Sequence, residues 1–299
     1  DAPVSTQVAN IMEMYRGEPV IKSVRPLEVS GSDEAGFAAY GLVVELNNGR
    51  VDTIFASADG ATPRTAPGGF EFAGRFGLFS EENGEVAHIS LLGGTQLTRD
   101  GIGVRLPHAE YRGHITATDR KACAITVSPA PPNPEALEGK YVHITNEHRR
   151  LAQKVERVET VADGVILHLE FDPLVGIGQV IGHDDGLVKS DTPFRLRGMR
   201  YYHGARVANA AGDAEYRILG IADGAFVDTA LHPEVGAEKL AGEFPLDSWF
   251  SVYDYGVGDE VILPHMVSVS RTGQSVYRAT STDDMTLSLP ERAIVENEG

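Results

Sequence analysis

Cysteine and long apolar runs are nearly absent from this chain of 299 residues. Cys123 is its single cysteine, so the chain forms neither an internal disulfide bond nor a zinc finger built on cysteines. No apolar run approaches the ~20 residues that a membrane helix needs, and we expect no membrane partner. Hydrophobic residues still make up 42% of the chain, which is ordinary for a globular protein and excludes wholesale disorder.

Positive charge is also scarce. The chain has 26 Lys and Arg residues against 43 Asp and Glu residues, which gives a formal net charge of -17. A surface this acidic repels the phosphate backbone of nucleic acids, because like charges repel over a distance of several ångströms in physiological salt. We therefore expect no nucleic-acid partner, and an acidic polymer would need a local basic patch.

The common catalytic signatures are missing as well. The sequence contains no Walker A loop, no G-x-S-x-G elbow, no H-E-x-x-H motif and no D-x-D-x-D-G calcium loop. The glycines at Gly176 and Gly178 are not followed by a helical pattern, so they do not form a dinucleotide-binding fingerprint. No widespread enzyme class is indicated by a motif.

Short strands separated by turn residues dominate what is present. Alternating apolar residues precede and follow Asn47-Asn48-Gly49, and an Asn-Gly pair supplies the positive φ angles of a tight hairpin. Similar turn signals recur along the rest of the chain. The sequence therefore predicts an all-β fold, an antiparallel β-sandwich. Apolar residues at helical spacing also predict a short N-terminal helix over residues 6–16.

A proline-rich segment indicates a division of the chain. Residues 128–134 contain four prolines, which cannot donate to a sheet ladder. We expect two sheet-rich halves joined there, unless the segment is a long loop of a single sandwich. The predicted parts are an N-terminal helix and linker, a first β-rich half, a connector, a second β-rich half and a tail, at 1–36, 37–128, 129–136, 137–290 and 291–299. A second short helix is predicted over residues 233–241.

The densest group of chemically active side chains is RLRGMRYYHGAR, which ends at Arg206. Guanidinium groups pair with carboxylates through two parallel hydrogen bonds, so Arg197 and Arg200 are candidates for binding an acidic sugar. Tyr202 or His203 would take the proton next to the sugar carboxylate while Arg206 neutralises that carboxylate. The alternative is that these arginines form ion pairs with the many acidic residues and that Tyr202 lies in the core.

Two further sets of residues are candidates for binding. Trp249 and Tyr253 belong to the one aromatic cluster, and aromatic rings stack on sugar rings; alternatively, one face of this strand lies in the core. His183 and Asp185 lie in a turn and would suit a divalent metal such as zinc or calcium. The same residues also make a good turn without any metal.

Several segments resemble the C-terminal β-sandwich region of heparinase II/III-like polysaccharide lyases in their pattern and order, although they carry no diagnostic catalytic motif. The resemblance spans most of the chain from about residue 37 to residue 290. The segments are GRVDTIFAS, GFEFAGRFGLF, NGEVAHISLLGGTQL, LEGKYVHITNEHRR, YYHGARVANAAGDAEYRI and WFSVYDYGVGDEVILPHMVSV.

The resemblance implies a polysaccharide-processing context. Members of that family pair the sandwich with an N-terminal helical toroid that supplies most of the catalytic groups, and no toroid pattern precedes the strands here. We therefore expect a non-catalytic module that binds a glycan, such as an acidic polysaccharide, or docks on a catalytic toroid domain or chain. A secreted or periplasmic location is expected, since Asp1-Ala2-Pro3 is typical of a mature secreted N-terminus.

Two alternatives stay open. The first is a free-standing lyase that cleaves uronic-acid glycans by β-elimination through Tyr202, His203 and Arg206. The second is a structural protein that forms oligomers by pairing of sheet edges between subunits.

Overall fold

The computed structural model describes most of the chain as β-strands and confirms the all-β prediction. The structure describes residues 11–31, 39–184, 187–192, 202–218, 225–228 and 236–297. The chain divides into two compact units. The first unit comprises Asp1–Tyr111 and Pro264–Gly299, and the second comprises Arg112–Leu263.

The elements follow one another in chain order through these units. The first nine strands are β1 (Ile21–Leu27), β2 (Tyr40–Leu46), β3 (Arg50–Ala56), β4 (Arg64–Ala66), β5 (Phe70–Ala73), β6 (Phe76–Glu82), β7 (Glu85–Leu92), β8 (Gln96–Arg99) and β9 (Ile102–Arg105). The next strands are β10 (Glu110–Asp119), β11 (Ala124–Ser128), β12 (Tyr141–Thr145), β13 (Arg150–Val161), β14 (Gly164–Leu169), β15 (Leu174–Asp184), β16 (Leu187–Ser190), β17 (Arg206–Asn209), β18 (Glu215–Arg217) and β19 (Ala225–Asp228). The last elements are α1 (Ala237–Glu243), β20 (Trp249–Tyr253), β21 (Glu260–Pro264), β22 (Met266–Gly273), β23 (Val276–Ser281), β24 (Thr286–Ser288) and β25 (Ile294–Asn297).

The first unit is built from two sheets that share one apolar core. An eight-stranded sheet has the order β1-β2-β3-β6-β7-β22-β23-β25, and a five-stranded sheet has the order β24-β9-β8-β5-β4. Alternate residues of each strand point inward, so Phe55 of β3 meets Phe72 of β5 across the core at a ring-centroid distance of 5.1 Å. The predicted hairpin at Asn47 is confirmed, because β2 and β3 pair in antiparallel register on either side of it.

The second unit combines a barrel with a separate sheet. The closed barrel has the strand order β10-β11-β14-β13-β12-β21, and the six-stranded sheet has the order β18-β17-β20-β15-β16-β19. One face of this sheet lies in an apolar core with Val207, Phe250 and Val252, and Leu240 of α1 belongs to the same core. The opposite face carries Arg206, Trp249 and Tyr253.

The predicted N-terminal helix is wrong for the part that the structure describes. Residues 11–15 have no regular secondary structure, while residues 1–10 lie outside the described range. Met12 is 92% exposed and Tyr15 is 53% exposed, so the apolar stripe has no surface to pack on. A helix this short is not stable in water without such packing.

The second predicted helix is confirmed with shifted bounds, as α1. The proline-rich segment leads from β11 into a 3₁₀ turn at Pro134–Leu137, and both ends of it lie inside the second unit. The units divide instead at residues 111/112 and 263/264, where the chain passes from the first unit into the barrel and back. Across the described ranges, no helix is long and apolar enough to span a membrane.

Candidate functional site

Arg206 lies on the outer face of the six-stranded sheet in the second unit. In the register of this sheet, Arg206 of β17 stands opposite Tyr253 of β20 and opposite Arg217 of β18. Directly opposed residues of antiparallel strands point to the same side. The three side chains therefore share one face, while Val207 and Val252 point into the core on the other.

Asp259 binds this face to the loop between β20 and β21. Its side chain is fully buried, and its Oδ1 accepts hydrogen bonds from Arg206 Nη2 at 2.6 Å and Arg217 Nη2 at 3.2 Å. Its Oδ2 accepts the backbone N–H of Gly256 at 3.0 Å. Arg206 Nη2 also donates to the carbonyl oxygen of Val257 at 2.8 Å. A buried carboxylate needs this number of partners, because an unpaired one costs several kcal/mol of desolvation, of order 3–5 when a partner is removed.

A second ion pair packs against the first. Arg120 donates from Nη2 to Glu215 at 2.8 Å, and its guanidinium lies 4.1 Å from the centre of the Tyr253 ring. Gly256 lies in a narrow space beside them. A Cβ at this position would come within 2.1 Å of Glu215 Oε1 and 2.7 Å of Arg206 Cγ. Only glycine lets the loop approach so closely.

Of two neighbouring residues of the same loop, Tyr255 is buried and Asp254 is half-buried. Burial raises the pKa of the Tyr255 phenol far above its usual range, so the hydroxyl stays protonated at any physiological pH. Burial also raises the pKa of Asp254, and the ion pair with Arg149 works against this rise. These residues form a compact charged cluster, here called the arginine cluster, of Arg120, Arg149, Arg206, Arg217, Glu215, Asp254 and Asp259.

Two histidines lie beside the arginine cluster. The rings of His148 and His203 are 5.0 Å apart between centroids and inclined by 60°. Asn146 positions the two loops, because it donates from Nδ2 to the carbonyl oxygen of Gly204 at 3.0 Å and accepts at Oδ1 from the backbone N–H of His148 at 3.0 Å. Tyr202 packs against the apolar core of the sheet. The structure thus brings His203 against His148 and directs Tyr202 toward the core.

The remaining predicted binding residues fall partly outside the described range. Arg197, Arg200 and Asp185 lie outside the described residues, so the structure does not bear on them. His183 is described, and its Nε2 donates to the carbonyl oxygen of Phe244 at 2.8 Å. Among the described side chains, no group of three or more His, Cys, Asp or Glu residues is placed to hold a metal ion.

Trp249 lies on the same outer face as Arg206, farther along β20. It is 57% exposed and stands opposite Gln179 of β15 in the register of the sheet. Ile177 is 51% exposed and pairs with the next residue but one of β20, Ser251. Phe250 fills the core below, so the tryptophan has to point outward. The result is an apolar surface of one aromatic and one aliphatic side chain on a sheet.

Polar groups border this surface. Gln179 donates from its backbone N–H to Asp191 Oδ1 at 2.7 Å, and this bond is the main reason that the pKa of Asp191 lies below its usual value. Thr192 donates from Oγ1 to the carbonyl oxygen of Ile177 at 3.1 Å. The apolar surface of Trp249 and Ile177, bordered by Gln179 and Asp191, is called the tryptophan surface below.

Sequence reasoning did not find the centre of the arginine cluster. The pair Gly258-Asp259 looks like an ordinary turn signal, and nothing local distinguishes Asp259 from the other turn aspartates. Only the pairing with Arg206 distinguishes Asp259, and Arg206 is 53 residues away along the chain.

Comparisons with models of protein families, with curated proteins and with solved structures found no match for this chain. The resemblance to heparinase II/III-like lyases therefore stays a prediction.

Proposed function

We propose that this chain is a non-catalytic β-rich module that binds a glycan through the tryptophan surface, in a polysaccharide-processing context. The observation that carries the proposal is the exposure of Trp249 on a sheet face. Exposing an indole ring to water is unfavourable, by roughly 25 cal/mol for each Å² of apolar surface, and a ligand that covers it removes this cost.

The chemistry of the surface suits a sugar ring. The C–H face of a pyranose is apolar and stacks on an aromatic ring, while its hydroxyl groups need donors and acceptors at the edge. Trp249 and Ile177 offer the apolar area, and both Gln179 and Asp191 lie at the border. The low pKa of Asp191 keeps its carboxylate available as an acceptor well below neutral pH.

The arginine cluster favours a module over an enzyme. β-Elimination needs a positive group that neutralises the substrate carboxylate in the transition state. Arg206 is a poor candidate for that role, because its side chain is 10% exposed and already hydrogen-bonded to Asp259 and Val257. Its role is better explained as structural. Docking on a separate catalytic toroid domain or chain is consistent with such a module and is part of the proposal.

The single tryptophan of the chain makes the test direct. Titrating neutral and uronic-acid polysaccharides into the protein should shift the Trp249 emission to shorter wavelength and protect it from acrylamide quenching. Trp249→Ala should lose binding in affinity electrophoresis at least tenfold. Phe171→Ala is the matched control, since Phe171 is 58% exposed in the same unit but lies outside the tryptophan surface. Unchanged emission with every polymer, or equal loss in both variants, would contradict the proposal.

The contact between His148 and His203 supports a second candidate, a lyase acting through His203. Ultraviolet absorbance of newly formed unsaturated ends in a panel of uronic-acid polymers tests it. If the wild type forms product and His203→Ala or Tyr202→Phe does not, the chain is a lyase and the proposal of a non-catalytic module is wrong. Absence of product with every polymer, with and without added zinc or calcium, would leave the module as the better explanation.

A further inference from the structure

The first unit contains a cavity of about 450 Å³ at one end of its two sheets. Residues of the β6–β7 turn, the β8–β9 turn, the β22–β23 turn and the segment between β24 and β25 line it. Its apolar lining residues include Phe79, Val86, Ile102, Tyr277 and Ala293, and charged residues line it as well. The volume lies within the range of about 300–1,000 Å³ that ligand sites usually have.

The rim of this cavity is stiff. Asn83 and Asp100 adopt the left-handed conformation, with φ of 55° and 49°, and each is followed by a glycine of positive φ. Two-residue turns of this kind match the twist of the strands that they connect and leave little conformational freedom. A ligand that binds between them meets a preformed site and loses little free energy to ordering of the protein.

Most charges around the cavity are already paired. Arg99 pairs with Glu81, and Glu85 accepts from Arg271 at 2.5 Å. Asp100 and Arg292 also line the cavity, both are exposed, and neither makes an ion pair or a side-chain hydrogen bond with a described residue. The rim thus presents to a ligand one carboxylate, which only accepts hydrogen bonds, and one guanidinium, which only donates them.

The charges decide the class of ligand. Two guanidinium groups, of Arg99 and Arg292, line the cavity with three carboxylates, of Glu81, Glu85 and Asp100, so the lining has a small negative excess and repels an anionic ligand. A cationic ligand would leave Arg292 without an acceptor. Hydroxyl groups both donate and accept, and they satisfy Asp100 and Arg292 together. We propose that this cavity is a second glycan site, which takes one or more residues of a neutral sugar chain.

A smaller cavity shares two lining residues with the first. It measures about 250 Å³, and Arg99 and Glu81 line it as well, so their ion pair lies between the two spaces. The Arg99 guanidinium lies 5.2 Å from the ring centre of Phe70, which holds it in this position. Two adjoining spaces suit consecutive residues of an oligosaccharide better than one compact ligand. The ligand class of this proposal rests on the proposed glycan binding, while the site itself is independent of Trp249.

Calorimetry on the full chain tests it, with cellotetraose, xylotetraose, maltotetraose and a tetragalacturonate as probes. The wild type should bind one of the neutral probes at two sites, and Trp249→Ala should retain one of them. Adding Arg292→Ala to Trp249→Ala should weaken the remaining site at least tenfold. Asp100→Asn should do the same more mildly, since asparagine also tolerates the left-handed turn. Arg16→Ala is the control, because Arg16 is an exposed arginine of the same unit outside the cavity.

The outcomes separate the two proposals. If Trp249 fluorescence responds to a probe but Trp249→Ala binds none, the cavity site is overturned and the tryptophan surface stands. If the fluorescence is unchanged while Arg292→Ala abolishes the only binding event, the tryptophan surface fails and the cavity site stands. Binding of tetragalacturonate alone, or equal effects of Arg292→Ala and Arg16→Ala, would overturn the neutral-sugar site.

Discussion

The cavity of the first unit and the six-stranded sheet of the second unit hold their charged groups in different ways. In the first unit, the core between the two sheets is made of rings and aliphatic side chains such as Phe55, Phe72 and Leu97, and the charged groups around the cavity stay at its rim. In the second unit, Arg206 of the sheet and Asp259 of the loop between β20 and β21 are buried together. Charges at a rim remain available to a ligand, whereas buried charges are committed to one another.

This difference matters because a buried ion pair and an apolar core contribute to the folded structure in different ways. A buried ion pair adds little net stability, because the Coulomb attraction roughly offsets the desolvation of both ions, yet removing one partner is costly. The arginine cluster therefore fixes the arrangement of loop and sheet more than it stabilises them. An apolar core works the other way, since every buried methylene contributes and similar shapes can replace one another.

Substitution of Asp259 should have the largest effect and tests the role of the buried charges most directly. We expect Asp259→Ala to lower the free energy of unfolding of the second unit by about 3–5 kcal/mol, because Arg206 is left buried without its carboxylate. Urea unfolding followed by Trp249 emission measures it, since that residue lies in the second unit.

Glu260→Ala is the control for this substitution. Glu260 pairs with Arg112 at 2.7 Å, but their side chains are 28% and 54% exposed, so the loss should stay below about 1 kcal/mol. Similar losses in the two variants would show that burial of the pair is not what matters.

A methyl group added at Gly256 should cause the next largest loss of stability. Gly256→Ala should destabilise the second unit by about 1–3 kcal/mol, because the new Cβ collides with Glu215 and Arg206. Gly242→Ala should act in the opposite direction, by about 0.5–1 kcal/mol, since Gly242 lies in α1 with nothing within 4 Å of its Cβ position. Urea midpoints of the two variants on either side of the wild type would support this; a tolerated Gly256→Ala would contradict it.

The apolar core of the first unit should accept a change of shape without a change of volume. Leu97 is fully buried, and we expect Leu97→Met to cost less than about 1.5 kcal/mol. The corresponding isosteric change in the second unit, Asp259→Asn, should cost more, because it keeps the shape and removes the charge. Thermal unfolding of both variants, followed by circular dichroism, compares their losses of stability. A larger loss for Leu97→Met than for Asp259→Asn would contradict the expected difference between the two sites.

The smallest expected effect is a pH dependence in the first unit. Burial lowers the pKa of His265, and the opposing attraction of Asp283 does not overcome it; His108 lowers and Glu110 raises the same pKa. The unfolded chain therefore binds a proton more readily than the folded one, so stability falls as the pH drops below 6.5. The slope is at most about 1.4 kcal/mol per pH unit for one proton.

Urea midpoints between pH 7.5 and 5.5 measure this slope. His265→Gln should flatten it, while His114→Gln, on an exposed histidine of the second unit, should leave it unchanged. A slope that His265→Gln does not alter would assign the titration to another group.

Much of the local structure was predictable. Alternation around Asn47 gave β2 and β3, and the same kind of turn at Asn83 and Asp100 joins the strands on either side of it. The helix at residues 6–16 failed in its described part because a periodic pattern says nothing about whether a packing partner exists. Trp249 was predicted as a candidate contact, and its exposure agrees with that prediction without testing it.

The sequence by itself determined that this is a β protein with an acidic surface, because strand alternation, turn residues and charge are local or additive properties of the chain. Only the tertiary structure decided which charges meet. Arg149 and Asp254 are 105 residues apart, and Arg206 and Asp259 are 53 apart. Their pairing depends on strand register and sheet order, which no short stretch of sequence encodes. The same long-range order brings Asp100 and Arg292, which are 192 residues apart, to the lining of one cavity.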